Sequence, residues 1–316
     1  PRAGAGLRNR APPPGGEWRA LSRGDCFFRL DGAANAGRLV VLVHGFIGCH
    51  TDFDALTEWL VQTGARRVLR FDNYGRGWSS LPRNETEVLP ELYAGQLAEL
   101  LFALGETEPI DLVGYSMGGA VAAAFCDVYG RDRVASLAYL APAGLPAMAQ
   151  TVRPWQQRLI SLVSALPFGT RICLMGARAL LSRPTEPEGI FWATDNEKVH
   201  THYLDRYRHR LLNEPSLPYA FLETLKSFPF SGLFDAFAGV AKSEVPTFAL
   251  WAQYDELIPR DCVAELRAAY AERPHLLQDH IVRDRSHMFV VEDATPVGEH
   301  LAKFWSNRDT VRPIVG

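Results

Sequence analysis

The amino-acid sequence predicts an α/β fold: an open, mostly parallel sheet with helices on both faces and an inserted helical segment. Three observations carry that reading. Continuous β-branched and aliphatic runs, the pattern of strands covered on both faces, alternate with segments of helical apolar spacing. One such run, Ile110–Gly119 (IDLVGYSMGG), reads as a buried strand, a sharp turn and the first turn of a helix, with Ser116 at the corner between Gly114 and Gly118. From Pro142 to Glu244 the alternation stops, and helical spacing broken by Pro154, Pro167, Pro184, Pro187, Pro215 and Pro218 replaces it.

Taken in order, Pro1–Gly16 (PRAGAGLRNRAPPPGG) has no apolar period and is rich in Pro, Gly, Ala and Arg, the composition of a flexible arm. Weak strand-like material from Trp18 to Leu30 reads as an edge hairpin. Arg38–Val43 (RLVVLV) is a buried strand that ends in His44-Gly45-Phe46. A helix-length segment, Phe53–Thr63, then leads to a second strand at Arg67–Phe71, completing a βαβ unit. The loop Asp72–Ser80 (DNYGRGWSS) places two glycines in a tight turn, and Pro90–Leu104 has helical spacing that stops at Gly105. After Ser116 the segment AVAAAF offers small residues that let a helix approach the sheet. Val134–Leu140 and Val245–Trp251 read as further buried strands and Asp279–Val282 as a shorter one, with helical patterns at Asp261–Ala271 and Thr295–Phe304. The resulting division is an arm over 1–16, an α/β core over 17–141 and 245–316, and a helical cap over 142–244. The cap's apolar side chains, among them Trp155, Ile160, Leu162, Val163, Phe168 and Leu174, are expected to roof an apolar pocket on the sheet and in part to form a small second core.

A chain of 316 residues can bury a sizeable core. A formal net charge of −3 with interspersed signs supplies no electrostatic reason for nucleic acid or an anionic membrane as the main partner. The five cysteines, Cys26, Cys49, Cys126, Cys173 and Cys262, are odd in number and show no C-x-x-C spacing, which fits buried thiols in a reducing compartment and makes cytoplasm the default expectation. The chain opens at Pro1 rather than Met, which is compatible with a leader having been removed, so the sequence says little about targeting. No charge-free run of about 18 apolar residues occurs, so no spanning helix is expected, which leaves peripheral contact through the cap open.

A serine hydroxyl is a poor nucleophile at neutral pH: it needs a base, the base needs an orienting acid, and the oxyanion needs donors. Gly114-Tyr115-Ser116-Met117-Gly118 fits a nucleophile elbow, in which a strained turn lifts the hydroxyl off the sheet and glycines avoid clashes. Asp255, just past the strand Val245–Trp251, is the candidate acid, with Glu256 and Asp261 as alternatives. His287 follows the last strand and is the candidate base; His275 and His280 sit before or inside that strand and point elsewhere. His44 is expected to fix its loop by a side-chain hydrogen bond, and Cys49 to be a small pocket-side residue. His202, Asp205 and His209 share helical spacing but read as a solvated face, so no metal and no cofactor are expected.

HGF at 44–46, GYSMGG at 114–119, the aspartate with a proline four residues on at 255–259, and SHMF at 286–289 together resemble the α/β-hydrolase superfamily, in its serine esterase and lipase-like branch, over about Leu39 to Trp305. The resemblance implies the α/β-hydrolase fold, with Ser116 as nucleophile, Asp255 as acid, His287 as base, and the backbone N–H groups of Phe46 and Met117 as the oxyanion hole. The loop DNYGRGWS looks like that family's D-x-x-G-x-G-x-S turn, whose role is structural. The expectation is therefore a serine hydrolase of carboxylic esters, of carboxylesterase, monoacylglycerol lipase or lysophospholipase type, acting on a small apolar acyl ester. Two alternatives are hydrolysis of a C–C bond in a vinylogous diketone by the same triad, and a small-molecule receptor that retains the fold.

Overall fold

The computed structural model describes residues 13–34, 36–64, 66–82, 87–181, 210, 214 and 216–309. The arm expected over 1–16 therefore lies, up to residue 12, outside the described residues, as do His202, Asp205 and His209.

Eight strands form one sheet: β1 (Glu17–Leu21), β2 (Gly24–Asp31), β3 (Leu39–Val43), β4 (Arg67–Phe71), β5 (Ile110–Tyr115), β6 (Val134–Leu140), β7 (Thr247–Tyr254) and β8 (Leu277–Ser286), in the order β1-β2-β4-β3-β5-β6-β7-β8. The expected edge hairpin is β1 with β2, and β2 continues antiparallel onto β4; every other pairing is parallel. Every residue of β3 and β5 is buried, which is why LVVLV and IDLVGY read as continuous apolar runs rather than alternating ones. Between these strands run α1 (Asp54–Gly64), α2 (Pro90–Ala103) and α3 (Met117–Arg133), and later α7 (Phe234–Lys242), α8 (Asp261–Ala269), the single turn α9 (Phe289–Glu292) and α10 (Ala294–Asp309). Helices α1 and α10 pack together, and α2, α3, α7 and α8 form a second packed row. β8 runs past both ends of the sequence reading, taking in Leu277 and Gln278 before it and the polar RDRS after it.

The stretch 142–244 divides in two. Gly144 donates its N–H to the Phe230 carbonyl at 2.9 Å and accepts one from Leu233 at 2.8 Å, so the insertion leaves and re-enters the core at one point. Beyond that seam α7 is not cap: it packs on α3, with Phe237 fully buried against Tyr139, and serves as the crossover helix into β7. Before the seam lie α4 (Pro154–Ala165), α5 (Gly169–Leu181) and α6 (Leu217–Ser227), the last partly buried and seated against α4 and α5.

Here one expectation is corrected. No residue of α4 is buried, and Trp155, Leu162 and Phe168 are exposed on the outside instead of roofing a pocket; Ile160, Val163 and Leu174 are half-buried on the inner side. The rotation of α4 is set by Gln157, whose amide donates to the carbonyls of Leu225 and Phe228, both at 3.0 Å. Apolar periodicity reveals that a helix has a stripe, not which way the stripe faces.

Candidate active site

The ends of β3, β5, β7 and β8 meet on one edge of the sheet, where open α/β sheets place their ligands. Ser116 sits between β5 and α3 with φ 55° and ψ −122°, a conformation that costs on the order of 1–3 kcal/mol for a residue with a Cβ. The surroundings hold it there: its N–H donates to Leu140 at 2.9 Å, and its carbonyl accepts from Gly119 at 2.9 Å and Ala143 at 3.0 Å. The flanking glycines are required by contact. A Cβ on Gly118 would overlap the Val43 carbonyl, and one on Gly114 would overlap the Gly118 carbonyl.

His287 follows β8 directly and is buried. Its Nε2 lies 3.0 Å from Ser116 Oγ and its Nδ1 2.8 Å from Asp255 Oδ2. The carboxylate thus holds the proton on Nδ1 and leaves Nε2 as the acceptor that faces the Ser116 hydroxyl. The ring stacks on Tyr115 with centroids 5.3 Å apart, while the Tyr115 hydroxyl donates to the His287 carbonyl at 2.8 Å. Asp255 is aimed in turn by the N–H groups of Leu257 and Ile258, which donate to Oδ1 at 3.0 and 2.8 Å. The alternatives separate cleanly. Glu256 is exposed, Asp261 is exposed and accepts from Gln150, and His280 packs against His300, 4.4 Å between centroids.

Gly45, which precedes Phe46, lies against Ser116, and Met117 follows Ser116 in the chain. Met117 is the first residue of α3, where backbone N–H groups have no acceptor within the helix. The Phe46 amide belongs to the Gly45–Phe46 peptide, and His44 sets the orientation of that peptide. Its Nε2 accepts the Asn73 N–H at 3.0 Å, so Nδ1 carries the proton and donates to the Gly45 carbonyl at 2.8 Å. In a trans peptide the N–H points opposite to the C=O, so fixing the carbonyl aims the Phe46 N–H. Burial lowers the His44 pKa to about 3, against the upward pull of Asp72, and keeps the ring neutral for this task.

Two arginines complete the loop, and sequence reasoning missed both. Arg76 is fully buried in the turn after β4, and its side chain donates to the Phe46 carbonyl (2.9 Å), the Tyr93 hydroxyl (2.8 Å) and Thr224 Oγ1 on α6 (2.7 Å). Burial lowers its pKa, with the Tyr93 hydroxyl opposing that shift. Arg210, paired with Glu214, donates to the Ile47 and Gly48 carbonyls at 3.0 and 3.2 Å. The three successive carbonyls of Phe46, Ile47 and Gly48 thus each accept from an arginine. The available signal was in DNYGRGW, where a long cation sits between two glycines and has no flanking bulk to hold it at the surface. The same turn anchors through Asp72, whose Oδ1 accepts from the His50 amide and ring and whose Oδ2 accepts from Trp78. Burial would raise the Asp72 pKa, but the His50 contacts outweigh it and hold the group at about 2. Cys49, His50 and Asp72 bring potential metal ligands within 4.8 Å of one another. The carboxylate already accepts three hydrogen bonds and burial pushes the Cys49 thiol up to about 12, so the cluster reads as a buried polar network.

Residues 40–299 match the model of the Alpha/beta hydrolase family. Among curated relatives, the proline iminopeptidase of Lactobacillus delbrueckii subsp. bulgaricus is 25% identical over 207 residues, 65% of this chain and 62% of that protein. The chain thus spans about three fifths of the length of the curated relatives it first matches. A crystal structure of a membrane phospholipase A, a bacterial virulence factor, superposes with a TM-score of 0.69 at 19% identity, covering 93% of this chain and 86% of that one. A thermophilic esterase from Thermogutta terrifontis superposes with a TM-score of 0.67 at 23% identity, covering 92% and 98%. At these identities the structural likenesses bear on the fold, and with the family match over most of the length they permit one plain statement: the chain belongs to the alpha/beta hydrolase family.

Proposed function

We propose that the protein is a serine hydrolase of carboxylic esters, with Ser116, His287 and Asp255 as its triad. The observation that carries this reading is the unbroken line from Ser116 Oγ through His287 to Asp255, with contacts of 3.0 and 2.8 Å. In the first step His287 Nε2 takes the hydroxyl proton as Ser116 Oγ attacks the ester carbonyl. The Phe46 and Met117 amides receive the oxyanion, and the imidazolium then protonates the departing alkoxide. Water repeats the sequence on the acyl-enzyme, releasing the acid and restoring the serine. Esters with apolar acyl groups are favoured by the aromatic wall beside the oxyanion loop. There Phe46 stacks on Phe221 at 4.8 Å and meets Phe230 edge-on at 5.4 Å. No cofactor or metal takes part in this scheme.

The test is kcat/KM for soluble acetate, butyrate and octanoate esters, with Ser116→Ala as control. The expected series rises, because each buried methylene contributes about 0.8 kcal/mol when it is held in the transition state. Inertness toward every ester together with cleavage of a vinylogous diketone would move the chain to C–C hydrolysis, and binding without turnover would make it a receptor.

A further inference from the structure

The hairpin of α4 and α5 carries its larger apolar side chains on the wrong side for a core element. On α4, Trp155, Leu159, Leu162 and Leu166 follow helical spacing along one face and are 57, 51, 68 and 62% exposed, whereas the inward face presents Gln157, Ser161 and Ser164 beside Ile160 and Val163. On α5, which packs on α4, Ile172 and Met175 are exposed as well, at 60 and 65%. At the tip between the helices Phe168 is 79% exposed with φ 64°, so a bulky aromatic is spent on a strained, outward position. A soluble surface gains nothing from such an array, and a contiguous one marks an interaction site.

Charge says what kind. From Thr151 to Leu181 the sequence contains no Asp or Glu but has Arg153, Arg158, Arg171 and Arg178. Arg158 stands within the α4 stripe and Arg171 beside Ile172, both exposed; among the described residues neither they nor Arg153 has a carboxylate partner. The chain as a whole is net negative, so this positive segment is a local exception. Arginines rimming an apolar face suit phosphate headgroups above acyl chains, whereas a second copy of the chain would set like charges against like.

We propose that the α4–α5 hairpin docks on the surface of an anionic phospholipid bilayer, with its helices lying in the headgroup plane. It does not cross: no helix among the described residues is long and apolar enough to span a membrane. The docked face stands one helix layer from the site, because α4 is tied through Gln157 to the α6 end and α6 carries the Phe221 that stacks on Phe46. The inference is independent of which bond the triad cleaves.

Flotation of the full chain with vesicles tests it, using phosphatidylcholine alone against phosphatidylcholine with about 30 mol% phosphatidylglycerol. The expected result is co-flotation with the anionic vesicles, weakened by salt and much poorer on the neutral ones. Leu162→Glu and Phe168→Glu should each lower partitioning about tenfold or more at an unchanged melting temperature. Arg153→Gln/Arg158→Gln/Arg171→Gln, which alters only exposed side chains and keeps the fold in any case, should abolish the preference for anionic lipid. Absence of flotation on anionic vesicles, equal flotation on neutral ones, or a dimer in vesicle-free buffer that Leu162→Glu dissociates would each overturn the proposal.

Discussion

A Cβ added to Gly118 would overlap the Val43 carbonyl oxygen, whereas one added to Gly176 on α5 would meet no atom within 4 Å. These two glycines stand for two regions. Around Ser116, backbone touches backbone: α3 lies so close to β5 and β3 that three glycines and a run of alanines are the residues that fit, and the loops after β3 and β4 are tied by buried polar contacts. In the α4–α5 hairpin few of the described residues are buried, and it is seated on α6 with the Gln157 amide bonded to the carbonyls of Leu225 and Phe228. Tight regions constrain sequence through geometry, and loose ones are free to carry whatever a partner requires.

The largest effect expected from the tight region is chemical. Ser116→Ala and His287→Ala should each lower kcat by about 10⁴-fold or more, and the double variant little further, because the groups act as one unit. Asp255→Asn should cost less, since His287 keeps its position over Ser116 but loses the partner that selects its tautomer. Kinetics on any turned-over ester checks this, and a crippling Glu256→Gln would contradict the assigned acid. Next comes packing: Gly118→Ala should destabilise by about 3 kcal/mol or prevent folding, because the obstructing atoms are backbone of β3 and cannot move aside. A denaturant midpoint within error of wild type would break the comparison. Arg76→Met should lower kcat by about 10²-fold with a smaller change in KM, through a loosened Phe46 amide rather than lost substrate contact. Equal loss in both constants would make Arg76 a packing residue only.

Much of this tight region was legible before any coordinates. The positions of Ser116 and Asp255 were readable because they follow β5 and β7, whose buried cores leave continuous apolar signatures; His287 follows β8, a mixed and half-exposed strand, and was readable only by its place after the last strand. The βαβ alternation was readable from the same apolar signatures. His44 was readable only as a loop-fixing residue; that it aims the Phe46 amide depends on which ring nitrogen meets Asn73, a matter of three dimensions. Arg76 and Arg210 were missed because a buried arginine has no periodic signature, and the Arg76 partners Phe46, Tyr93 and Thr224 are far apart in sequence. The direction of the α4 stripe was misread, since the side chain that decides it, Gln157, bonds to carbonyls some seventy residues away.

Acid separates the two regions further. The His44 pKa is lowered in the folded protein to about 3 from an ordinary 6.5, so below pH 6.5 the unfolded chain takes up a proton that the native one refuses. This contribution to stability is complete above pH 6.5 and declines as the pH falls toward 3, with a limiting slope of about 1.4 kcal/mol per pH unit for one proton. Asp72, held at about 2 against 3.8, adds a second loss between those values. Urea midpoints from pH 7 to 4 should trace the first decline, and His44→Gln should flatten it from a lower starting stability. Residues 151–181 contain no Asp, Glu or His, so cleavage within the hairpin should not acquire that dependence until the core itself opens.

The smallest expected effect is a gain. Gly176 lies inside α5 with open space where a Cβ would go and no positive φ, so Gly176→Ala should stabilise the helix by about 0.8–1 kcal/mol through propensity alone. Where that gain appears decides how the regions are coupled. If the hairpin melts with the sheet, the global midpoint rises by the full amount. If it opens by itself, held to the body by little more than the Gln157 amide and the inner side chains of α4, the midpoint stays put. Trypsin cleavage at exposed Arg158 and Arg171 should then slow by about fourfold, the factor that 0.8 kcal/mol represents when cleavage follows the open population. The second outcome is expected, because α4 buries no residue and so has little with which to share the core's cooperativity. A rise in the midpoint with no change in cleavage would instead join the hairpin to the core, and the contrast between the two glycines would then be one of local space rather than of separate stability.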